Sequence, residues 1–148
     1  MEYEVELVER TREDTAVVCG RVPHDEVGPF IGAALGEVMA AVGAVPIVGP
    51  PFCRLDMTGE EFELEVGFPV AEPIKPSGRV VPSSLPGGDA ATVLHTGPYE
   101  EVPPAYFVIE AWLAENGFVS AGAPWEAYLD GPEVAEPRTI VSWPCRRG

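Results

Sequence analysis

Basic residues are scarce. Nine lysines and arginines stand against 24 aspartates and glutamates, a formal net charge of −15. Nucleic-acid binders need a basic footprint to displace counterions, and the only basic cluster here is Arg146-Arg147. Direct binding to nucleic acid or to an anionic membrane is therefore not expected. Metal-ligating residues are equally thin. His24 and His95 are the only histidines, and Cys19, Cys53 and Cys145 have no ligand spacing, so neither a metal nor a cofactor is expected. The three cysteines read as small apolar residues in a reducing compartment. Long apolar runs are absent too. The longest charge-free stretch, residues 38–53, is broken by Gly43, Pro46, Gly49, Pro50 and Pro51, so it cannot span a membrane. Met1-Glu2-Tyr3-Glu4 lacks the basic start and apolar run of a signal peptide. A cytoplasmic protein is expected.

What is present is a folded chain. Its 148 residues are 46% hydrophobic and 22% charged, which suits one domain burying about two-thirds of its unfolded surface. The acid excess attracts cationic small molecules or basic protein surfaces at long range.

The chain also repeats itself at about 75 residues. Pro23-His24-Asp25-Glu26-Val27-Gly28-Pro29 falls on Pro98-Tyr99-Glu100-Glu101-Val102-Pro103-Pro104. Gly49-Pro50-Pro51-Phe52-Cys53-Arg54-Leu55-Asp56 falls on Ala123-Pro124-Trp125-Glu126-Ala127-Tyr128-Leu129-Asp130, and Val66-Gly67-Phe68-Pro69 on Val141-Ser142-Trp143-Pro144. Similar halves over residues 1–72 and 76–148 imply a pseudo-two-fold axis with a cleft along it. Where they differ chemically, as at Phe52 against Glu126, function is the first suspect.

The patterning is strand-strand-helix-strand-strand in each half. Alternation predicts strands over 4–9, 15–21, 45–55 and 62–70, then 79–85, 90–96, 125–129 and 138–143. Pro82 confines the fifth of these to an edge. Helical spacing predicts helices over 30–42, with Ile31, Leu35, Val38 and Met39 inward, and over 105–116, with Val102, Tyr106, Ile109 and Leu113 inward and Gly117 at its end. Gly32 and Gly36 weaken the first helix unless they serve close packing or mobility. The expected class is α+β, one domain over 1–148. It has an eight-stranded, mostly antiparallel sheet with two helices on one face. No Gly-rich phosphate loop follows a strand, which argues against a Rossmann fold.

The second half carries an ordered series of motifs: His95-Thr96-Gly97-Pro98-Tyr99-Glu100-Glu101-Val102, Ala105-Tyr106, Ile109, Trp112-Leu113, Asn116-Gly117, Ala123 to Pro132, and Trp143-Pro144. In this series the chain resembles the GyrI-like family, also called the AraC-type or bacterial transcription activator effector-binding domain. The resemblance implies a pocket between sheet and helices that takes bulky aromatic, often cationic compounds. It also implies an acidic ligand contact in the strand Trp125-Glu126-Ala127-Tyr128. Many members are fused to a DNA-binding domain, for which this chain has no room, so a stand-alone member is expected. Stand-alone relatives include multidrug-binding proteins, an inhibitor of DNA gyrase, and hydrolases that open cyclopropane rings.

Several residues are then candidates. Glu126 and Tyr128, two apart on a strand, share a face. A buried Glu126 would offer a missing charge to a lipophilic cation, and aromatic faces would add cation–π attraction. As an enzyme, the chain would use Glu126 as general base with Tyr128 hydrogen-bonding the substrate. Trp143 is placed to stack on a flat ligand, Phe52 to form the opposite wall and Tyr106 to face inward from the second helix. Arg54, aligned with Tyr128, offers an alternative partner for Glu126. Tyr99 reads as support for the loop before the helix, His95 as structural, and Trp112 and Trp125 as packing. A protein partner, met through the acidic surface, is the remaining alternative.

Overall fold

A computed structural model describes residues 3–56, 61–131 and 133–148. Met1 and Glu2, used above for the signal-peptide argument, and Pro132, quoted among the motifs, lie outside these. The described residues form nine strands and two α-helices, an α+β fold. In order these are β1 (Glu6–Arg10), β2 (Glu13–Val22), α1 (Val27–Ala41), β3 (Phe52–Asp56), β4 (Phe62–Pro69), β5 (Val80–Leu85), β6 (Gly88–Thr96), α2 (Pro103–Glu115), β7 (Phe118–Ser120), β8 (Trp125–Tyr128) and β9 (Arg138–Arg147). A single 3-10 turn precedes each helix.

The chain makes two compact units. One comprises Met1–Thr11 with Pro86–Gly148, the other Arg12–Leu85. Neither follows a sequence half, because the first strand of each half is held in the unit of the other. β1 pairs with β6, Glu6 opposite Thr92, and β5 pairs with β2, Pro82 opposite Ala16.

In the unit of Arg12–Leu85 the strand order is β5-β2-β4-β3, all antiparallel. β5 takes the outer place that Pro82 requires. Its core includes Val18, Leu64 and Val66 from the sheet with Ala34 and Val38 from α1. Gly20 lies directly under the Phe30 ring, where a Cβ would stand 2.5 Å from ring carbons. Two expectations fail in this unit. Residues 45–51 are not strand: Pro46, Pro50 and Pro51 leave one isolated bridge, Ile47 to Val70, ahead of β3. Met39 is 60% exposed, because α1 turns the face of Ala34 and Val38 inward. Of the readings open for Gly32 and Gly36, close packing is excluded, since a Cβ on either would meet nothing within 4 Å. Cys19 also departs from its apolar reading. It is exposed, on the side of β2 opposite Gly20 and hence away from the helix.

In the other unit the order is β1-β6-β9-β8, again antiparallel, and β7 pairs with the last residues of β9. β7 is the ninth strand, against eight expected. Ala91, Val93, Val141 and Cys145 of the sheet pack against Val102, Ala105, Ile109 and Leu113. Gly117, at φ 77°, ends α2 in the left-handed conformation that favours glycine.

Candidate functional site

The sheet register decides what α2 faces. Glu126 stands opposite Val141 and Tyr128 opposite Thr139. Val141 belongs to the core beneath α2. Residues two apart on a strand point alike, so Glu126 and Tyr128 both point toward the helix. Tyr106 comes down from α2, one residue along from the core position Ala105.

These three side chains meet. The Tyr106 hydroxyl donates to Glu126 Oε2 at 2.5 Å, and the Tyr128 hydroxyl donates to Oε1 at 3.0 Å. Each tyrosine belongs to an edge-to-face aromatic pair. Tyr106 meets Trp143 with centroids 6.3 Å apart at 65°, and Tyr128 meets Tyr99 at 5.6 Å and 73°. Trp143 is held by its indole N–H, which donates to Ser120 Oγ at 3.0 Å. One carboxylate thus stands between two aromatic pairs, with one phenol on each oxygen.

Burial pushes the Glu126 carboxyl above the usual carboxylate range. The two phenol hydrogen bonds oppose the shift, and burial prevails. The group is therefore a desolvated acid that burial holds toward its neutral form. Such a group can take a positive ligand charge, or accept a proton from a bound water.

His95 is 1% exposed. Its Nε2 lies 3.0 Å from the Pro98 carbonyl, which only accepts, so Nε2 carries the proton. Nδ1 then accepts from the Tyr3 hydroxyl at 2.7 Å. This supports the structural reading of His95. Tyr3 gave no sequence signal, since it reaches the site only through the pairing of β1 with β6.

The structure thus brings together Glu126, Tyr128, Tyr106 and Trp143, with Tyr99 behind. Phe52 lies in the other unit, where it is 1% exposed in the core. A separate cleft of about 450 Å³ opens beside Arg10, Arg146, Glu9 and Asp89. Its described lining holds no aromatic ring, so it lacks the surface that a flat apolar cation needs. Among the described residues, no group of three His, Cys, Asp or Glu side chains is placed to hold a metal ion. No helix among them is long and apolar enough to cross a membrane.

The model of the GyrI-like small molecule binding domain matches residues 3–145. The chain belongs to the GyrI-like family. The crystal structure of the EcmrR C-terminal domain superposes with a TM-score of 0.84 at 25% identity, covering 100% of both chains. The cryo-EM structure of the EcmrR–DNA complex in EcmrR-RPo gives 0.81 at 26% identity. There the match covers 99% of this chain and 58% of the EcmrR chain, so this chain spans little more than half the length of that relative. A hydrolase from Listeria innocua shares the fold, with a TM-score of 0.62 at 14% identity over 97% of this chain and 92% of that one. No curated protein matches. As a GyrI-like chain, this protein carries a small-molecule-binding domain.

Proposed function

We propose that this chain is a multidrug-type binding protein of the cytoplasm that takes bulky aromatic, often cationic compounds at Glu126. One observation carries the reading: a desolvated carboxylate gripped by Tyr106 and Tyr128 between two edge-to-face aromatic pairs. A lipophilic cation supplies the charge that burial denies Glu126. The aromatic faces each add ~0.5–2 kcal/mol of cation–π attraction. Trp143 and Tyr106 offer ring surface to a flat ligand. In the sequence repeat only the second half has an acid at this position, so one cation per chain is expected.

The test is a fluorescence titration with a rhodamine dye. Wild type should bind saturably at one site, and Glu126→Gln about tenfold more weakly, the weight of one lost charge-assisted contact. Absence of saturable binding to wild type would overturn the reading.

A second reading is favoured by the raised Glu126 carboxyl, because a general base works best when its pKa lies near the working pH. Glu126 would then take a proton from water as the water oxygen bonds to a ring carbon of a cyclopropane-bearing compound, a ring C–C bond breaks and its electron pair takes up a proton, with Tyr128 hydrogen-bonding the substrate. A product check on each bound compound separates the two. A ring-opened product that disappears in Glu126→Gln supports the hydrolase, whereas dye binding with no turnover of a cyclopropane panel supports the binding protein.

A further inference from the structure

Tyr99 touches Tyr128 but stands one ring behind Glu126, and it is tied down on both sides. Its hydroxyl donates to the backbone carbonyl of Asp130 at 2.8 Å. The residue before it is fixed by His95, whose Nε2–H donates to the Pro98 carbonyl while Tyr3 occupies Nδ1. Gly97 N–H donates to the Pro137 carbonyl at 3.0 Å.

Asp130 is fixed in turn. Arg138 grips its carboxylate through Nε to Oδ2 at 2.9 Å and Nη2 to Oδ1 at 3.1 Å, and the Arg138 backbone N–H adds a third bond to Oδ2 at 3.0 Å. The side chains are 19% and 52% exposed. An ion pair so accessible to solvent adds little to stability. What a bidentate fork does supply is direction. It sets the Asp130 backbone, and hence the acceptor on which the Tyr99 ring hangs.

We propose that Tyr99 is a positioning residue for the Glu126 site, and that the Arg138–Asp130 clamp sets where its ring stands. The inference rests on reading Glu126 as the ligand's anchor. With the clamp released, the Tyr99 ring leaves the edge of Tyr128. Tyr128 then regains rotameric freedom and its hydroxyl no longer dwells on Oε1. Tyr106 holds Oε2 from α2 and is unaffected.

The experiment follows the Glu126 carboxyl directly. In chain labelled with ¹³C at the glutamate carboxyls, the Glu126 signal is identified by its loss in Glu126→Gln, and its titration is compared across wild type, Tyr99→Phe, Arg138→Gln and Arg138→Lys. Tyr99→Phe and Arg138→Gln should raise the midpoint above that of wild type, because the charged form loses a donor. Arg138→Lys keeps the charge without the fork and should fall between. The same two variants should bind the rhodamine dye about fivefold more weakly, the weight of one hydrogen bond. A merely structural role would lower the unfolding temperature and leave the Glu126 midpoint alone. An unchanged midpoint in folded Tyr99→Phe and Arg138→Gln overturns the proposal, and Tyr99→Phe decides alone if Arg138→Gln fails to fold. If wild type binds no dye, the proposed function falls, while the midpoints still decide the positioning role.

Discussion

Burial raises the pKa of Glu126 and makes a prediction whose sign can be worked out. Burial favours the protonated carboxyl in the folded state. Between the unfolded pKa and the raised folded one, the native chain holds more proton than the unfolded chain. Stability from this group is therefore present below the unfolded pKa and lost as pH rises through the folded one. Glu126→Gln has no such loss. Thermal unfolding across pH should show the stability of Glu126→Gln minus that of wild type growing as pH rises from about the ordinary glutamate pKa, then levelling off. A difference that stays flat across this range would mean that Glu126 is not desolvated in the native chain. The acid itself was legible in the sequence, as a chemical break in the repeat at Phe52 and Glu126, and so was Tyr128, two residues along the same strand. Tyr3, Ser120 and Arg138 were not. Each reaches the site through tertiary contacts that no local pattern encodes, Tyr3 across 92 positions to His95.

At the scale of elements, β2, β4, β6 and α2 lie close to where the sequence predicts them, β4, β6 and α2 because each has a drier and a wetter face, and β2 because its run of β-branched and apolar residues is buried over Thr15 to Val18. α1 shows where that logic stops. Glu37 is its sole charged residue, so apolar and small residues surround the helix and periodicity cannot say which face turns inward. That is why spacing groups Met39 with Val38 and leaves the role of the two glycines open. The correction has a measurable consequence. Gly36 sits in a helix interior with open space where a Cβ would go, so Gly36→Ala should stabilise by up to ~1 kcal/mol. This would raise the unfolding temperature by about 2–4 °C. Gly117→Ala should do the reverse, costing about 1 kcal/mol, because φ of 77° suits glycine and strains alanine. Circular dichroism melts of the two variants give opposite signs if the orientation of α1 is right. A lower melting temperature for Gly36→Ala would place that face against something.

At the scale of the whole molecule, the repeat was legible but the exchange of first strands was not. β1 and β5 differ in pattern, β5 being broken by Pro82, and neither pattern names the strand it pairs with. Partner choice is non-local, so it leaves no trace in the pattern of a single strand. Charge, by contrast, is a whole-molecule property that sequence gives directly, and it bears on how a ligand arrives. A net charge of −15 surrounds the chain with a potential that draws cations inward and repels anions. The individual acids are mostly solvated, so this field is screened over a Debye length of about 10 Å at 0.1 M salt. A ligand contact at the buried Glu126, as proposed, would be screened far less. Salt should therefore act on arrival more than on departure. In stopped-flow mixing with a cationic rhodamine, the association rate should fall several-fold from about 10 mM to 150 mM salt while the dissociation rate stays nearly constant. A neutral aromatic dye of similar size should show no such fall. If salt slows both dyes alike, or speeds dissociation instead, then long-range steering plays no part, and the acid excess serves solubility alone.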